Sequence, residues 1–224
     1  FGLINERRNR LHEVVRLSGV NIDIADEERP LIIKVASIPN AKLQVYFIDN
    51  DDYFRRKHVF HDKNDEFYED NDERAIFFCK GVLETVKQLG WAPDIVHCND
   101  WMTGLIPLYL KTDYKNDPLF EKAKCIFSIY GNKFDDKFNK DIVSKAITSG
   151  ANAEMLKGLS SADYHGFLQI GTEYADVVIN STEEADEKIK ALCDEAAKDR
   201  TVNTISVSEE SLETYFDLYT DLVK

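Results

Sequence analysis

Long apolar runs and a surplus of basic residues are both missing from this sequence of 224 residues. No stretch reaches the roughly 18 to 20 apolar residues that a helix needs to span a bilayer, and no charged-then-apolar leader opens the chain. The 41 acidic residues outnumber the 28 basic ones, so no excess of Lys and Arg is available to displace counterions from phosphates. We therefore expect no membrane span, no nucleic-acid partner and a cytoplasmic location.

Cysteine and glycine are also scarce, with four and ten residues. The cysteines are widely separated and form no CxxC pair, which argues against a zinc site and against a dense disulfide framework. The glycines form no phosphate-binding loop of the Gly-rich kind. We expect mostly buried, reduced thiols, no metal ion and no cofactor. The cysteines are Cys79, Cys98, Cys125 and Cys193.

The sequence does contain an alternation of helical and short β-branched segments, which is typical of a parallel α/β sheet. The predicted strands are 94–97, 125–130, 176–180 and 202–207. The predicted helices are 72–89, 103–111, 142–159, 183–192 and 212–223, with Ser181 or Thr182 capping the fourth. We expect a single domain over residues 1–224 with a three-layer, Rossmann-like α/β sandwich.

The segments before this alternation differ from it in pattern. Two β-rich runs at 31–38 and 43–48, joined by 39–42, predict an appended β-hairpin. The charged residues 5–17 fit a short helix or an irregular lead-in, and the polar residues 51–72 predict a long surface loop. The chain begins at Phe1 without a Met, so we expect a preceding strand–helix unit to be missing.

A polar cluster follows the predicted strand at 94–97, at the corner before the next helix. Such corners lie at the carboxyl edge of a parallel sheet, where ligands bind. His97 could donate to a sugar hydroxyl or a phosphate, and Asn99 and Asp100 could hydrogen-bond a hydroxylated ligand. The alternative is that His97 is a buried histidine satisfied by backbone, that Asp100 caps the next helix and that Trp101 is core.

Two further groups are weaker candidates. Asp70 and Asn71 stand at a predicted helix N-terminus, where they could meet a ligand beside free amides, although helix capping by Asp70 or Asp72 explains them equally well. The spacing of His58 and His61 is compatible with metal ligands, but no third ligand is evident. We therefore expect these two to be exposed loop histidines.

Four segments now resemble one family in their order along the chain. They are Val-Tyr-Phe-Ile-Asp-Asn at 45–50, Asp70-Asn71 with Arg74, Trp-Ala-Pro-Asp-Ile-Val-His-Cys-Asn-Asp-Trp at 91–101, and Gly-Thr-Glu-Tyr-Ala-Asp-Val-Val at 171–178. This pattern resembles the N-terminal, starch-synthase catalytic domain of bacterial glycogen synthases and plant starch synthases. The resemblance covers roughly residues 30 to 192.

The resemblance implies half of a GT-B glycosyltransferase, in which two Rossmann-like domains face each other across a cleft. Members transfer glucose from ADP-glucose, or UDP-glucose in some cases, to the nonreducing end of an α-1,4-glucan with retention of configuration. It implies that Asp70, Asn71, His97, Asn99 and Asp100 face the donor glucose and the acceptor. A second domain or chain would complete the cleft.

Several positions depart from the family pattern. Met102 stands where the family has a His after the Asp-Trp pair, and Tyr130-Gly131 replaces its His-Asn. The Lys-x-Gly-Gly loop and the C-terminal Rossmann domain are absent from the sequence, and no clustered Arg and Lys replace their charge at the departing diphosphate. We assign no catalytic residue and expect the isolated chain to be inactive. The alternative is a non-catalytic glucan-binding or regulatory homologue.

Overall fold

Two β-sheets organise the chain in a computed structural model that describes residues 15–38 and 43–224. Strands β1 (Val15–Ile24), β2 (Glu27–Ile38) and β3 (Leu43–Asp49) form an antiparallel sheet in that order. Strands β4 (Ile95–Asn99), β5 (Lys124–Ile129), β6 (Val177–Asn180) and β7 (Thr201–Thr204) form a parallel sheet, also in chain order. All four predicted parallel strands are therefore confirmed.

The antiparallel sheet contains the predicted hairpin and one strand more. Strands β2 and β3 pair from Ile38↔Leu43 onward, while the connection at 39–42 lies outside the described residues. The prediction of a helix or lead-in at 5–17 is wrong for residues 15–17, which begin β1, and its remainder lies outside the described residues. The turn into β2 is Ala25-Asp26, both at positive φ. This pair lacks the Asn-Gly or Asp-Gly signature of such turns.

Seven helices accompany the sheets within the described residues. They are α1 (Asp51–Phe54), α2 (Asn71–Leu89), α3 (Ile106–Lys111), α4 (Ile142–Ala146), α5 (Tyr164–Tyr174), α6 (Glu187–Ala196) and α7 (Leu212–Leu222). The predicted helix at 72–89 is confirmed as α2. It ends at Gly90, whose φ of 69° is left-handed.

The predicted helix at 142–159 is wrong beyond α4. A loop follows, and a short 3-10 turn at Lys157–Ser161 replaces the second half. Asp113 fixes this loop because its carboxylate accepts hydrogen bonds from the hydroxyls of Thr148 and Ser149 and from the amide of Gly150. In a continued helix these hydroxyl and amide groups would not all reach Asp113, so the hydrogen bonds favour the loop over the helix.

The helix boundaries around β6 also differ from expectation. Helix α6 begins later than predicted, because Asp186 accepts the amide of Ile189 at 2.9 Å, whereas Thr182 bonds to Asn180 and caps nothing. Helix α5 was not predicted at all. Its Gly171 lies so close to β5 that a Cβ there would be 2.5 Å from the ring of Phe127. A glycine that permits close packing lowers the apparent helix propensity of the segment.

The parallel sheet carries helices on both faces. Its strand order follows chain order, so the crossovers run in one direction and place α3, α5 and α6 on one face, in the main core. Helix α7 packs on the other face against a smaller apolar cluster. The three-layer α/β sandwich is confirmed. The smaller cluster contains Ile126, Val177, Ile179 and Ile205.

Within residues 15–38 and 43–224, no helix has the length and apolarity needed to cross a membrane. The same residues contain no group of three or more His, Cys, Asp or Glu side chains arranged to hold a metal ion. Cys79, Cys98 and Cys125 are buried free thiols, and Cys193 is a half-buried one.

Candidate functional site

All of the predicted site residues lie at one end of the parallel sheet. Asn99 is the last residue of β4, Asp100 follows at the carboxyl end of the strand, and His97 lies two residues before Asn99. Helix α2 contacts the 3-10 turn at 101–103 that follows β4, and the side chain of Asn139, after β5, donates to the carbonyl of Glu69, so Asp70 and Asn71 at the helix N-terminus lie at the same edge. This is the edge at which ligands bind in open α/β sheets.

His97 and Asn99 project from β4 towards the face that α7 covers, since alternate residues of a strand share a face. The Nδ1 of His97 lies 2.5 Å from the hydroxyl of Tyr219 on α7, and its Nε2 lies 2.7 Å from the hydroxyl of Ser128. Burial lowers the pKa of His97, which favours the neutral imidazole with one donor and one acceptor. The histidine is thus satisfied by two hydroxyls rather than by backbone.

Asn99 is the exposed member of the pair. Its side-chain oxygen accepts the hydroxyl of Tyr130 at 2.7 Å, and its amide donates to the carbonyl of His97 at 3.1 Å. Tyr130 occupies the position at which the family pattern has a histidine. The polar contact at this position is therefore made by a phenol, which directs its hydroxyl at a neighbouring predicted site residue.

Asp100 turns away from that face through an unusual backbone conformation, with φ 59° and ψ −174°. Its buried carboxylate accepts the amide of Trp101 at 3.0 Å, the hydroxyl of Tyr164 at 2.8 Å and the side-chain amide of Asn132 at 3.0 Å. Burial raises the pKa of Asp100, and these three donors oppose the rise. Asp100 therefore caps the 3-10 turn that follows it, as predicted. Its hydrogen bonds also join the end of β4 to the segment after β5 and to α5.

Asp70 and Asn71 meet the loop that precedes them. Asp70 makes no side-chain cap and instead pairs with Arg56, whose Nη1 lies 2.7 Å from its carboxylate. Asn71 is buried and donates to the carbonyl of Phe60 at 2.8 Å, while its oxygen accepts a hydrogen bond from Arg74. Both residues fix the loop, and Asn71 is linked to the β4 corner through Phe60, whose ring lies near that of Trp101.

A cluster of aromatic rings connects that loop to the corner. The ring of Phe60 lies 5.0 Å from that of Trp101, which is buried as expected. Phe67 packs against Phe134 and Phe138 from the segment after β5. The predicted surface loop at 51–72 is therefore a wall of the site and begins with the short helix α1. Of its histidines, His58 is exposed, whereas His61 lies 3.1 Å from Asp136.

A cleft with three lysines was missed by sequence reasoning. It encloses about 490 Å³ beside the N-termini of α5 and α6. Its lining also contains four carboxylates, and each lysine lies within 4.0 Å of one of them, so the cleft has no excess of positive charge. The expectation that no clustered cations meet a departing diphosphate stays a prediction. The lining residues come from three separate segments, so no local pattern reveals them. The cleft is lined by Lys133, Lys137, Lys188, His165, Asp163 and Asp186, among others.

Met102 completes the departures from the family pattern. Its side chain is buried in the core, and its carbonyl accepts the thiol of Cys79 at 3.2 Å. A thioether in this position packs against apolar neighbours and offers no N–H to a ligand.

Comparisons with known proteins agree on one relationship. A family model for the starch synthase catalytic domain matches residues 1–193. The glycogen synthase of Chlorobium limicola is 35% identical over 183 residues, which cover 81% of this chain and 37% of that protein. The glycogen synthase of Chlorobium chlorochromatii is 45% identical over 135 residues, covering 58% of this chain and 27% of that protein. The chain thus spans little more than a third of the length of such relatives.

A solved structure shares the fold. It is the catalytic domain of Starch Synthase IV from Arabidopsis thaliana bound to ADP and acarbose. The TM-score is 0.67 at 17% sequence identity, and the match covers 90% of this chain and 42% of that one.

Proposed function

Because the chain belongs to the starch synthase catalytic domain family, we propose that it forms one half of a glucosyltransferase of the glycogen and starch synthase type. The reaction is transfer of glucose from ADP-glucose to the nonreducing end of an α-1,4-glucan. The observation that carries the proposal is the family match over residues 1–193, which contains all five predicted site residues. A second domain or chain completes the cleft.

The geometry supports different roles for these five residues. His97 and Asn99 carry hydrogen-bonding groups of the kind that recognise sugar hydroxyls, and Asn99 is exposed at the edge. Asp70, Asn71 and Asp100 are bound to protein partners that fix the loop and the corner. In the proposal, the first two contact the glucan or the donor glucose, and the other three position the walls of the site around it.

The direct test is ADP release from ADP-glucose in the presence of glycogen. The chain is assayed alone and with a cell extract, against the extract alone. We expect no release by the chain alone and an increase above the extract background when the two are combined. Asn99→Ala should abolish the increase, whereas Asn64→Ala, on the exposed part of the loop, should leave it unchanged. No increase under any condition would refute the transferase.

A second candidate function is a non-catalytic glucan-binding or regulatory homologue. Two observations favour it: Met102 is a buried thioether at the family's histidine position, and both ring nitrogens of His97 are occupied by protein hydroxyls. Calorimetry with maltooligosaccharides and co-sedimentation with glycogen separate the two functions. Binding without turnover supports the homologue, turnover refutes it, and failure to bind any glucan removes its binding version.

We also propose that the protein acts in the cytoplasm. Its four cysteines are free thiols, and disulfides are rare in that compartment. Fractionation of cells producing the protein, with detection by immunoblot, tests the location. Recovery in a membrane or extracellular fraction would contradict it.

A further inference from the structure

Helix α7 covers His97 of β4 and occupies one of the two nitrogens of its ring. The hydroxyl of Tyr219 meets Nδ1 of His97, and the ring of Tyr215 stacks near the same imidazole at 6.0 Å. The hydroxyl of Tyr130 meets Asn99 beside them. A neutral imidazole has one donor and one acceptor to offer, and a sugar hydroxyl would use the same groups. Tyr219 therefore stands where a hydroxyl of a ligand would stand.

The side chains of α7 are only partly buried in their contact with the sheet. Its inward side chains recur at helical spacing, yet none of its 11 residues is fully buried. An isolated helix of this length is marginal in water, so its order depends on that contact. Its start at Ser211 has no side-chain cap, and the outer residues Leu212 and Phe216 are each 68% exposed. The inward side chains are Tyr215, Leu218, Tyr219 and Leu222.

We propose that α7 is an autoinhibitory cover, which closes the face of the sheet at His97 and opens it to a hydroxyl-bearing ligand when the helix is released. The inference that α7 covers this face rests only on the contacts described above. The identity of the ligand as an α-1,4-glucan rests on the proposed function. The segment 205–211 between β7 and α7 is the connection about which the helix would leave.

Accessibility of His97 tests the cover without any ligand. Diethyl pyrocarbonate carbethoxylates exposed neutral imidazoles, and peptide mass spectrometry of the whole chain gives the rate at His97 relative to exposed His58. In the unmodified protein, His97 should react more slowly than His58. Leu218→Ser removes one inward apolar contact and should raise the relative rate at His97 on the order of tenfold by favouring the open state.

Leu212→Ser is the matched control, because it makes the same substitution on the same helix at a side chain that is 68% exposed and lies outside the groove beside Trp91. It should leave the rate at His97 unchanged. Equal rates in Leu218→Ser and the unmodified chain, or equal increases in both serine variants, would overturn the proposal. Circular dichroism checks that the variants fold. If Leu218→Ser does not, Tyr219→Phe decides, because it keeps the ring and removes the hydroxyl: a faster reaction at His97 supports the cover, and an unchanged one overturns it.

Binding of maltoheptaose, measured by calorimetry, tests the ligand separately. With the cover weakened, Leu218→Ser should bind with a Kd on the order of tenfold lower than the unmodified chain, since less free energy is spent on opening. A reactive His97 without any maltoheptaose binding would keep the cover and count against the proposed function. Equal binding by both proteins, with His97 already reactive in each, would overturn the cover and leave the proposed function intact.

Discussion

At the scale of single residues, the corner is held by Asp100 more than by any other side chain. Its left-handed backbone turns the carboxylate away from the open face and into contact with groups from two distant segments. A non-glycine residue in this conformation is strained, and the surrounding hydrogen bonds stabilise it. The corner therefore depends on the donors that reach Asp100.

Tyr164→Phe should show that dependence. It removes one of two donors to the same carboxylate oxygen of Asp100 and leaves the fully buried ring in place. We expect a loss of about 1–3 kcal/mol in the free energy of unfolding, because a buried carboxylate loses one of its hydrogen bonds. Urea unfolding measures it. Tyr130→Phe, which removes a hydroxyl at the exposed edge, is the control and should cost less. Equal losses would contradict the importance of the buried bond.

His97 should make stability depend on pH between about 5.5 and 7.5. Burial lowers its pKa in the folded protein, so below the ordinary histidine pKa of about 6.5 the unfolded chain binds more protons than the folded one. The stability that neutral His97 contributes is therefore fully present above this pH interval and is lost as the pH falls through it. Urea unfolding at both ends of the interval should show a smaller pH dependence in His97→Gln. An identical dependence in that variant would contradict the burial effect, and His58→Gln serves as the exposed control.

At the scale of elements, the local sequence pattern predicted those helices and strands whose positions are determined by local interactions. Helix α2 has helical periodicity and a terminal glycine, and the central strands are β-branched runs, so their positions were predicted closely. Strand β1 and helix α5 were missed because their order comes from packing. Strand β1 pairs with β2 through an atypical turn, and α5 contains Gly171, which suits its contact with β5.

Gly171→Ala tests the packing explanation for α5. A Cβ at this position would lie 2.5 Å from the ring of Phe127, which is itself fully buried and cannot move aside freely. Although alanine favours helices, we expect a loss of about 1–3 kcal/mol by overpacking. Thermal or urea unfolding gives the value. Gly90→Asn is the control, because Gly90 is a left-handed residue surrounded by open space. It should lower the free energy of unfolding by only about a few tenths of a kcal/mol. A stabilised Gly171→Ala protein would show that the contact is looser than described.

At the scale of the whole molecule, the site is assembled from segments far apart in the chain. Tyr164 and Tyr219 reach Asp100 and His97 across 64 and 122 residues. The sequence predicted that the candidate residues lie at the carboxyl edge of the sheet, where the structure places them, and their role as a binding site stays a prediction. It could not predict which side each side chain faces, nor the lysine cleft, because both depend on the tertiary arrangement.

A buried ion network joins α4 to α2, from segments about 70 residues apart in the chain, and illustrates the same point. Lys145 on α4 lies 3.0 Å from Asp72, which is fully buried, and 3.0 Å from Glu73. Lys145→Met should cost about 3–5 kcal/mol, because it leaves a buried carboxylate without its cation. The exposed pair of Lys157 and Glu154 provides the control, since Lys157→Met should change stability by less than about 1 kcal/mol. Urea unfolding compares them, and similar losses would contradict the network.

The two tryptophans of the chain give each side of this domain its own optical signal. Trp101 is buried in the aromatic cluster at the corner, whereas Trp91 is 46% exposed in a groove that it shares with Phe216 and Tyr219 of α7. Rearrangement at the carboxyl edge alters the blue-shifted emission of the former, and departure of the helix alters the red-shifted emission of the latter. Fluorescence can thus follow both events in one unlabelled sample.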